Sequence, residues 1–441
     1  MCSTYFISNS AKLCLMPAFF LILRYITSNP IILVICLFGS LIFITLSLSN
    51  NSKATALNRV RIHRSIAKFD VPGINSLVDK LTSRAIPNRR LVEAFGINNS
   101  FTTVDRGVHE RFIVSAKAVI LSMNQQKWST FFAVSQAAVR QAFDILSASQ
   151  QSLPLAATVR FTVFSAIIYQ FFDVRLDDTN FADADEATRL INNLWEHSKN
   201  LEAAGPELRQ ELDRLQNALR RLLPNRYPCS SENQPLNTII PAYETMWRVV
   251  LLTYVSVGFR DVGQEITQQF QKVSQDVHEY CATEGNRILS DMSINFAKEG
   301  LRLYPPTKRI HRNIPDGRNG PFNVKADIEW CHREKQIWGL DAEQFRPSRF
   351  QDWTADMKDA YMPFGAGLNQ CPTARTFSYH AIVILVTALA KRLGTREYGS
   401  RVVFNDSRFD MDPTELLPSG RMDMEDWVLQ MDGTEWLGRA M

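Results

Sequence analysis

The residue in this chain best placed for unusual chemistry is a cysteine that closes a short glycine loop, Pro363-Phe364-Gly365-Ala366-Gly367-Leu368-Asn369-Gln370-Cys371-Pro372. Two glycines free the backbone to take positive φ and to approach a flat ligand with no Cβ in the way. The apolar stretch that follows, residues 373–393, predicts an uninterrupted helix. A thiolate at its N-terminus would be stabilised by unpaired backbone N–H groups and by the helix dipole, which suits a sulfur bound to a metal. Taken alone, the loop also admits a plainer account: a glycine turn ahead of a buried helix, with an inert core cysteine.

A second constellation is Glu244-Thr245, just after Pro241 in the otherwise helical run 237–252. An internal proline opens the hydrogen-bond ladder and kinks the helix, leaving room for a ligand or water. An acid beside a hydroxyl there can relay protons, the carboxylate exchanging with solvent while the hydroxyl orients a water or a bound peroxide. The structural alternative is an exposed Glu beside a helix-capping Thr. A third pair, Glu299 and Arg302, lies on a helical segment ending at Pro305-Pro306, and its spacing of three puts both charges on one face.

The elements that must carry these groups are helical. Residues 108–146 and 159–199 are long, apolar-periodic and poor in glycine, which predicts several packed helices. Leu208, Leu212, Leu215, Leu219 and Leu222 form one apolar stripe, read as a surface helix packed on the core. At 441 residues, 45% hydrophobic and 21% charged, the chain can bury one large core or two medium ones. A net charge of +4 with no basic run interleaved with aromatics gives no support for nucleic-acid binding. Seven cysteines, at 2, 14, 36, 229, 281, 331 and 371, include no CxxC pair and argue against a disulfide framework or structural zinc, so a reducing compartment fits best.

Residues 31–48, IILVICLFGSLIFITLSL, form an uncharged run just long enough to cross a bilayer. The expected organisation is a membrane anchor over 1–50 and one domain over 51–441. Lys53, Arg59, Arg61, Arg64 and Lys68 after the run outnumber Lys12 and Arg24 before it, which places that domain in the cytosol. The Asn-x-Ser sequons at Asn50, Asn98 and Asn405 are then expected to be unused.

Phe364, Gly367 and Cys371, with Gly365, resemble the haem-binding loop of the cytochrome P450 family. Pro241-Ala242-Tyr243-Glu244-Thr245 looks like a variant of that family's acid–alcohol motif on the long central helix. Glu299-x-x-Arg302, Phe345-Arg346-Pro347-Ser348-Arg349-Phe350 and Ile337-Trp338-Gly339 resemble its helix ion pair, its meander arginine and its connecting strand. Four positions depart: Asn369 for a His or Arg, Thr373 for a Gly, Ser348 for a Glu, and Phe132, four residues after Trp128, for an Arg. The resemblance is strong from about Pro241 to Leu393 and weak before residue 100.

The resemblance implies a mainly α fold with small β-sheets, a cytochrome P450 fold behind an N-terminal transmembrane helix. It implies haem b, iron protoporphyrin IX, with Cys371 as axial iron ligand, Phe364, Gly365 and Gly367 around it, and Arg312 on a propionate. Glu244 and Thr245 would deliver protons, and Glu299, Arg302 and Arg349 would form a buried structural network that must be fully hydrogen-bonded. Ile239, Tyr243, Thr307, Ile310 and the loop from Phe101 to Val104 would lie on the substrate side. The implied activity is a haem-thiolate monooxygenase acting on a lipophilic small molecule, fed by NADPH through NADPH-cytochrome P450 reductase in the same endoplasmic-reticulum membrane.

The nearest likeness is to filamentous-fungal members that tailor terpenoids, alkaloids or polyketides. Two further readings stay open: a reductase-independent isomerase or dehydratase that keeps the haem, and a degenerate, haem-poor relative without monooxygenase activity, for which Asn369, Thr373 and the short N-terminal region speak.

Overall fold

The computed structural model describes residues 52–147, 152–260, 263–282, 285, 287–315, 320–374, 376–412 and 414–431. The expected anchor, residues 31–48, lies outside the described residues. The chain divides into residues 1–59 and 60–441, and the larger unit holds every feature that follows.

The order of elements is set by clear start and stop signals. Helix α1 (Leu77–Phe95) opens on a capping box in which the Ser76 hydroxyl accepts from Asp79 N and the Asp79 carboxylate accepts from Ser76 N, and it closes at Gly96 with φ 65°. Helices α2 (Arg106–Leu121) and α3 (Gln125–Leu146) open on Asp105 and Asn124, whose side chains accept from Val108 N and Lys127 N. Strand β1 (Ser152–Pro154) leads into α4 (Leu155–Phe172), and α5 (Phe181–His197) and α6 (Leu201–Leu222) follow as an antiparallel pair. The leucine stripe of α6 supplies its inner face, with Leu215, Leu219 and Leu222 buried.

The central helix is built in three pieces: α7 (Leu236–Ile239), a π-helical turn (Ile240–Glu244) and α8 (Thr245–Gly258). Then come α9 (Gln264–Ala282), α10 (Asp291–Leu303), the hairpin β2 (Arg309–Ile314) and β3 (Phe322–Asp327), three short helices α11 (Ile328–Arg333), α12 (Lys335–Trp338) and α13 (Ala355–Ala360), and α14 (Phe377–Leu393). Strands β4 (Ser400–Val403) and β5 (Val428–Met431) join β1 in an antiparallel sheet of order β1-β5-β4. In the hairpin, Ile310 faces Ala326 and Arg312 faces Val324 across the ladder.

Helices α4, α8 and α14 are mostly apolar and buried over most of their length, so they supply much of the core. By length and composition α4 and the stretch from Phe377 could cross a membrane, but those windows are 72% and 78% buried inside the protein, so core burial accounts for their composition. Each fully buried Leu, Ile, Val or Phe on them contributes about 1.5–3 kcal/mol.

One boundary differs from the sequence expectation. The last long helix starts at Phe377, not at residue 373, because Pro372–Ala374 is taken into a separate 3₁₀ turn. Cys371 therefore precedes that single turn rather than the N-terminus of the long helix.

Candidate active site

The loop around Cys371 is closed by its own backbone. Cys371 N donates to Phe364 O at 3.0 Å, Gly365 N to Met362 O at 3.1 Å, and Gln370 N to Gly367 O at 3.2 Å. These turns require φ of 75° at Gly365 and 74° at Gly367, a region that glycine enters without steric cost. Phe364 fixes the loop to the core by meeting the Tyr379 ring of α14 edge-on at 5.6 Å.

Cys371 Sγ lies 3.1 Å from Thr373 Oγ1, which in turn accepts from Ser378 Oγ at 2.8 Å. Burial pushes the Cys371 thiol up, while the Thr373 hydroxyl and N–H pull it down. The residue that departs from the family glycine is thus the polar neighbour of the sulfur.

A chain of hydrogen bonds ties this loop to a buried charge network. Arg302 grips Glu299 with two bonds, Nε to Oε2 at 2.7 Å and Nη2 to Oε1 at 2.8 Å. Arg349 Nε reaches Glu299 Oε1 at 3.0 Å, and Arg346 N adds a fourth donor at 2.8 Å. The remaining guanidinium N–H groups go to backbone carbonyls: Arg302 to His332 and Ala342, Arg349 to Trp338 and Asp341. Glu299, Arg302 and Arg349 are therefore together, buried and fully partnered.

His332 carries this network into the loop. It stacks on Tyr361 at 5.4 Å, its Nε2 accepts from Met362 N at 2.9 Å, and its Nδ1 lies 3.1 Å from Arg302 O. Burial and the neighbouring Arg302 charge bring its pKa down to about 3, so the ring is neutral in the folded protein.

On the central helix, Pro241 coincides with the π turn. The carbonyl that its missing N–H would have served, that of Asn237, accepts from Asn99 Nδ2 at 3.0 Å. Thr245 is half-buried and donates from Oγ1 to Pro241 O at 2.8 Å.

Glu244 differs from its sequence expectation. Its carboxylate does not face solvent: the residue is 1% exposed and pairs with Arg421 at 2.5 Å and Arg248 at 3.4 Å. The π turn aims it at these guanidiniums. Arg248 also donates to Pro306 O at 3.1 Å and Ser419 O at 3.0 Å, which draws the Pro305-Pro306 segment and the C-terminal loop onto the central helix.

The residues expected on the substrate side scatter more. Ile239 and Tyr243 are buried, Tyr243 edge-on to Phe164 of α4 at 5.4 Å, whereas Thr307 is exposed. Ile310 is half-buried and comes to the cysteine loop: its Cδ1 lies 3.9 Å from where a Cβ on Gly365 would stand. Phe101 and Val104 are exposed. A cavity of about 710 Å³ lies at the far end of α14, lined by Phe132, Gly258, Phe270, Thr387 and Lys391, and none of the residues expected to act lines it.

Arg312 is buried on β2 with its guanidinium carbon 3.9 Å from the centre of the Phe69 ring. Its Nη1 donates to the neighbouring His311 carbonyl at 2.9 Å, its Nε has no partner, and no carboxylate pairs with it among the described residues. Desolvation first, and the nearby Arg84 charge second, bring its pKa down to about 9. A thiol at the end of a glycine loop, and a buried guanidinium without an acid among the described residues on the strand whose Ile310 reaches that loop, are donor types that fit haem: one sulfur for iron, one cation for a carboxylate.

Sequence reading missed Arg248, Arg421, Asn99, His332 and Arg84. Arg248 had a signal, since it stands four residues after Glu244 on one helix. The others reach the site across long sequence separations, and no local pattern marks them.

Comparison with known proteins agrees with this picture over part of the chain. Residues 261–389 match the cytochrome P450 family model. The taurochenodeoxycholic 6 alpha-hydroxylase of Sus scrofa is 32% identical over 113 residues, 24% of this chain and 22% of that protein. Secologanin synthase 2 of Catharanthus roseus is 41% identical over 86 residues, 17% and 16% of the two chains. The matched region thus spans about a fifth of the length of these curated relatives. A crystal structure of a variant of the cytochrome P450 OleT in complex with arachidonic acid superposes with a TM-score of 0.51 at 12% identity, covering 80% of this chain and 86% of that one. The fold is the cytochrome P450 fold.

Proposed function

We propose that this chain, with a cytochrome P450 fold and a family match over residues 261–389, is a haem-thiolate monooxygenase that takes a lipophilic small molecule, O2, two electrons and two protons to a hydroxylated product and water. The observation that carries the reading is the loop at Cys371, closed on Phe364, opened by two positive-φ glycines and wired through His332 to the buried Glu299, Arg302 and Arg349. When bound, haem b supplies oxygen activation, with thiolate ligation favouring O–O cleavage.

The protein's own part is positional. Cys371 would hold the iron, Phe364, Gly365 and Gly367 would keep the loop flat enough for a porphyrin, and Arg312 would take a carboxylate of it. Thr245 orients the water that delivers protons at the kink. Glu244 sets the charge of the kink through Arg248 and Arg421, and it reaches a proton path only by exchange of one of those partners. Ile310 lies nearest the loop and contributes to the substrate wall, with Ile239, Tyr243 and Thr307 in supporting positions.

Electrons are proposed to come from NADPH through a membrane-bound NADPH-cytochrome P450 reductase, and the run 31–48 is proposed as the single anchor that keeps the domain on the cytosolic face of the endoplasmic reticulum. A terpenoid, alkaloid or polyketide substrate of fungal secondary metabolism is the finer proposal, supported by the likeness of the sequence alone.

The test is the carbon monoxide difference spectrum of the reduced, membrane-bound protein. A red-shifted Soret band that Cys371→Ala removes is the expected result. A folded protein that shows no such band with ample haem overturns the assignment and favours the haem-poor reading, for which the Thr373 hydroxyl beside the sulfur speaks.

A further inference from the structure

Thr373 stands where the resemblance expects a glycine, so its hydroxyl belongs to this chain and not to the loop pattern. The short turn after the cysteine fixes its backbone, closed by Ala374 N donating to Cys371 O at 3.1 Å. Its Oγ1 lies 3.1 Å from Cys371 Sγ and accepts from Ser378 Oγ at 2.8 Å. Ser378 is 7% exposed and sits in the first turn of α14, whose start is anchored by the Phe377 ring, 5.4 Å from Trp128 and 5.8 Å from Phe171.

These positions settle the direction of the bond to sulfur. A hydroxyl has one proton to give and two lone pairs with which to accept. Ser378 donates to Thr373, which leaves the Thr373 proton for another acceptor, and Cys371 Sγ is within its reach. A sulfur bound to a metal is a thiolate, which has no proton and can only accept. A backbone N–H would stand at position 373 with a glycine too; the hydroxyl is the added donor. Donors to a metal-bound sulfur draw electron density from it and so tune the metal. Reduction raises the negative charge on the sulfur, so the bond strengthens and favours the reduced state.

We infer that Thr373, oriented by Ser378, is a positioning residue for the axial sulfur: its hydroxyl donates to the Cys371 thiolate, raises the reduction potential of the bound haem and weakens the electron push from sulfur. The inference rests on the haem-thiolate reading above.

The experiment uses the full, haem-loaded chain in detergent and two measurements that need no turnover: the ferric–ferrous midpoint potential, and the infrared stretch of carbon monoxide on the reduced protein. Thr373→Val keeps the branched shape and removes the hydroxyl. It should shift the ferric–ferrous equilibrium about tenfold toward ferric, a potential about 59 mV lower for one electron. The carbon monoxide stretch should fall, because a more electron-rich sulfur lets the iron return more density to the ligand. Thr373→Ser restores a hydroxyl and should return both readings to those of the unaltered protein. Ser378→Ala should shift both in the same direction by less, and should add nothing in the Thr373→Val background, since Ser378 acts through Thr373.

A potential and a stretch unchanged in Thr373→Val, or a shift that Thr373→Ser does not reverse, overturns the inference. If Thr373→Val fails to hold haem, Ser378→Ala decides by the same two readings, because it leaves both the sulfur and Thr373 in place; no shift in either overturns the inference as well. Absence of the thiolate band in the unaltered protein is failure of the haem reading and takes this inference with it. A normal thiolate band with unmoved readings is failure of this inference alone.

Discussion

At the scale of single residues, the site depends on charges that are buried because they are partnered. Glu299 accepts four hydrogen bonds, three from guanidiniums and one from a backbone N–H. Glu299→Gln should cost about 3–5 kcal/mol in urea unfolding, the penalty for leaving buried arginines without their acid. Glu244→Gln should destabilise comparably, through Arg248 and Arg421, and should do so in protein that has never been given reductase. A Glu244→Gln protein of unchanged stability would restore the carboxylate to the relay role. His332 gives the sign of the pH response. Its folded pKa of about 3 lies below the usual histidine value near 6.5, so the unfolded chain binds the extra proton first. Its contribution is complete above about pH 6.5 and is lost as pH falls toward 3, at up to about 1.4 kcal/mol per pH unit. Stability measured at pH 7 and pH 5 should fall, and His332→Gln, which keeps an acceptor for Met362 N without titrating, should flatten that difference. Glu299 and Arg302 were legible from their spacing, whereas His332 was not, because its role depends on a backbone N–H thirty residues away.

At the scale of elements, proline chemistry decides two boundaries. Pro241 sits in the π turn, and the acceptor it leaves on Asn237 is taken by Asn99. Asn99→Ala should therefore cost about 1–3 kcal/mol, the cost of an unsatisfied buried carbonyl, and less in a Pro241→Ala background, where a backbone N–H returns. Additive losses in a double-mutant cycle would sink this link. The kink was readable from one proline, but its partner was not, since Asn99 stands 138 residues before Asn237. The start of α14 was misplaced for a complementary reason. Residues 373–393 look uniformly helical, yet the 3₁₀ turn after Pro372 separates Cys371 from the long helix and makes the Thr373 hydroxyl, rather than the helix dipole, the nearest polar influence on the sulfur.

At the scale of the whole molecule, three apolar helices make a core around which the charged networks are hung, and a bound cofactor should tighten that arrangement. Haem added at a hundred times its dissociation constant should stabilise the chain by about 2.7 kcal/mol, seen as a rise in melting temperature. No rise on addition of haem to folded apoprotein would contradict the proposal at this level. The amino-acid sequence alone determined that the fold is mainly helical, that a cysteine loop and a Glu-x-x-Arg pair occur in the order the resemblance requires, and that Pro241 interrupts a long helix; the small sheets were expected only from the resemblance. Those features are local: periodicity, spacing and the missing N–H of proline act within a few residues. Tertiary structure alone decided that Glu244 faces Arg248 and Arg421 instead of water, that His332 links the charge network to the cysteine loop, and that Arg84 and Arg312 are both buried with no acidic partner among the described residues. Those facts depend on which distant segments exclude water from a polar group together, and no spacing along the chain records that.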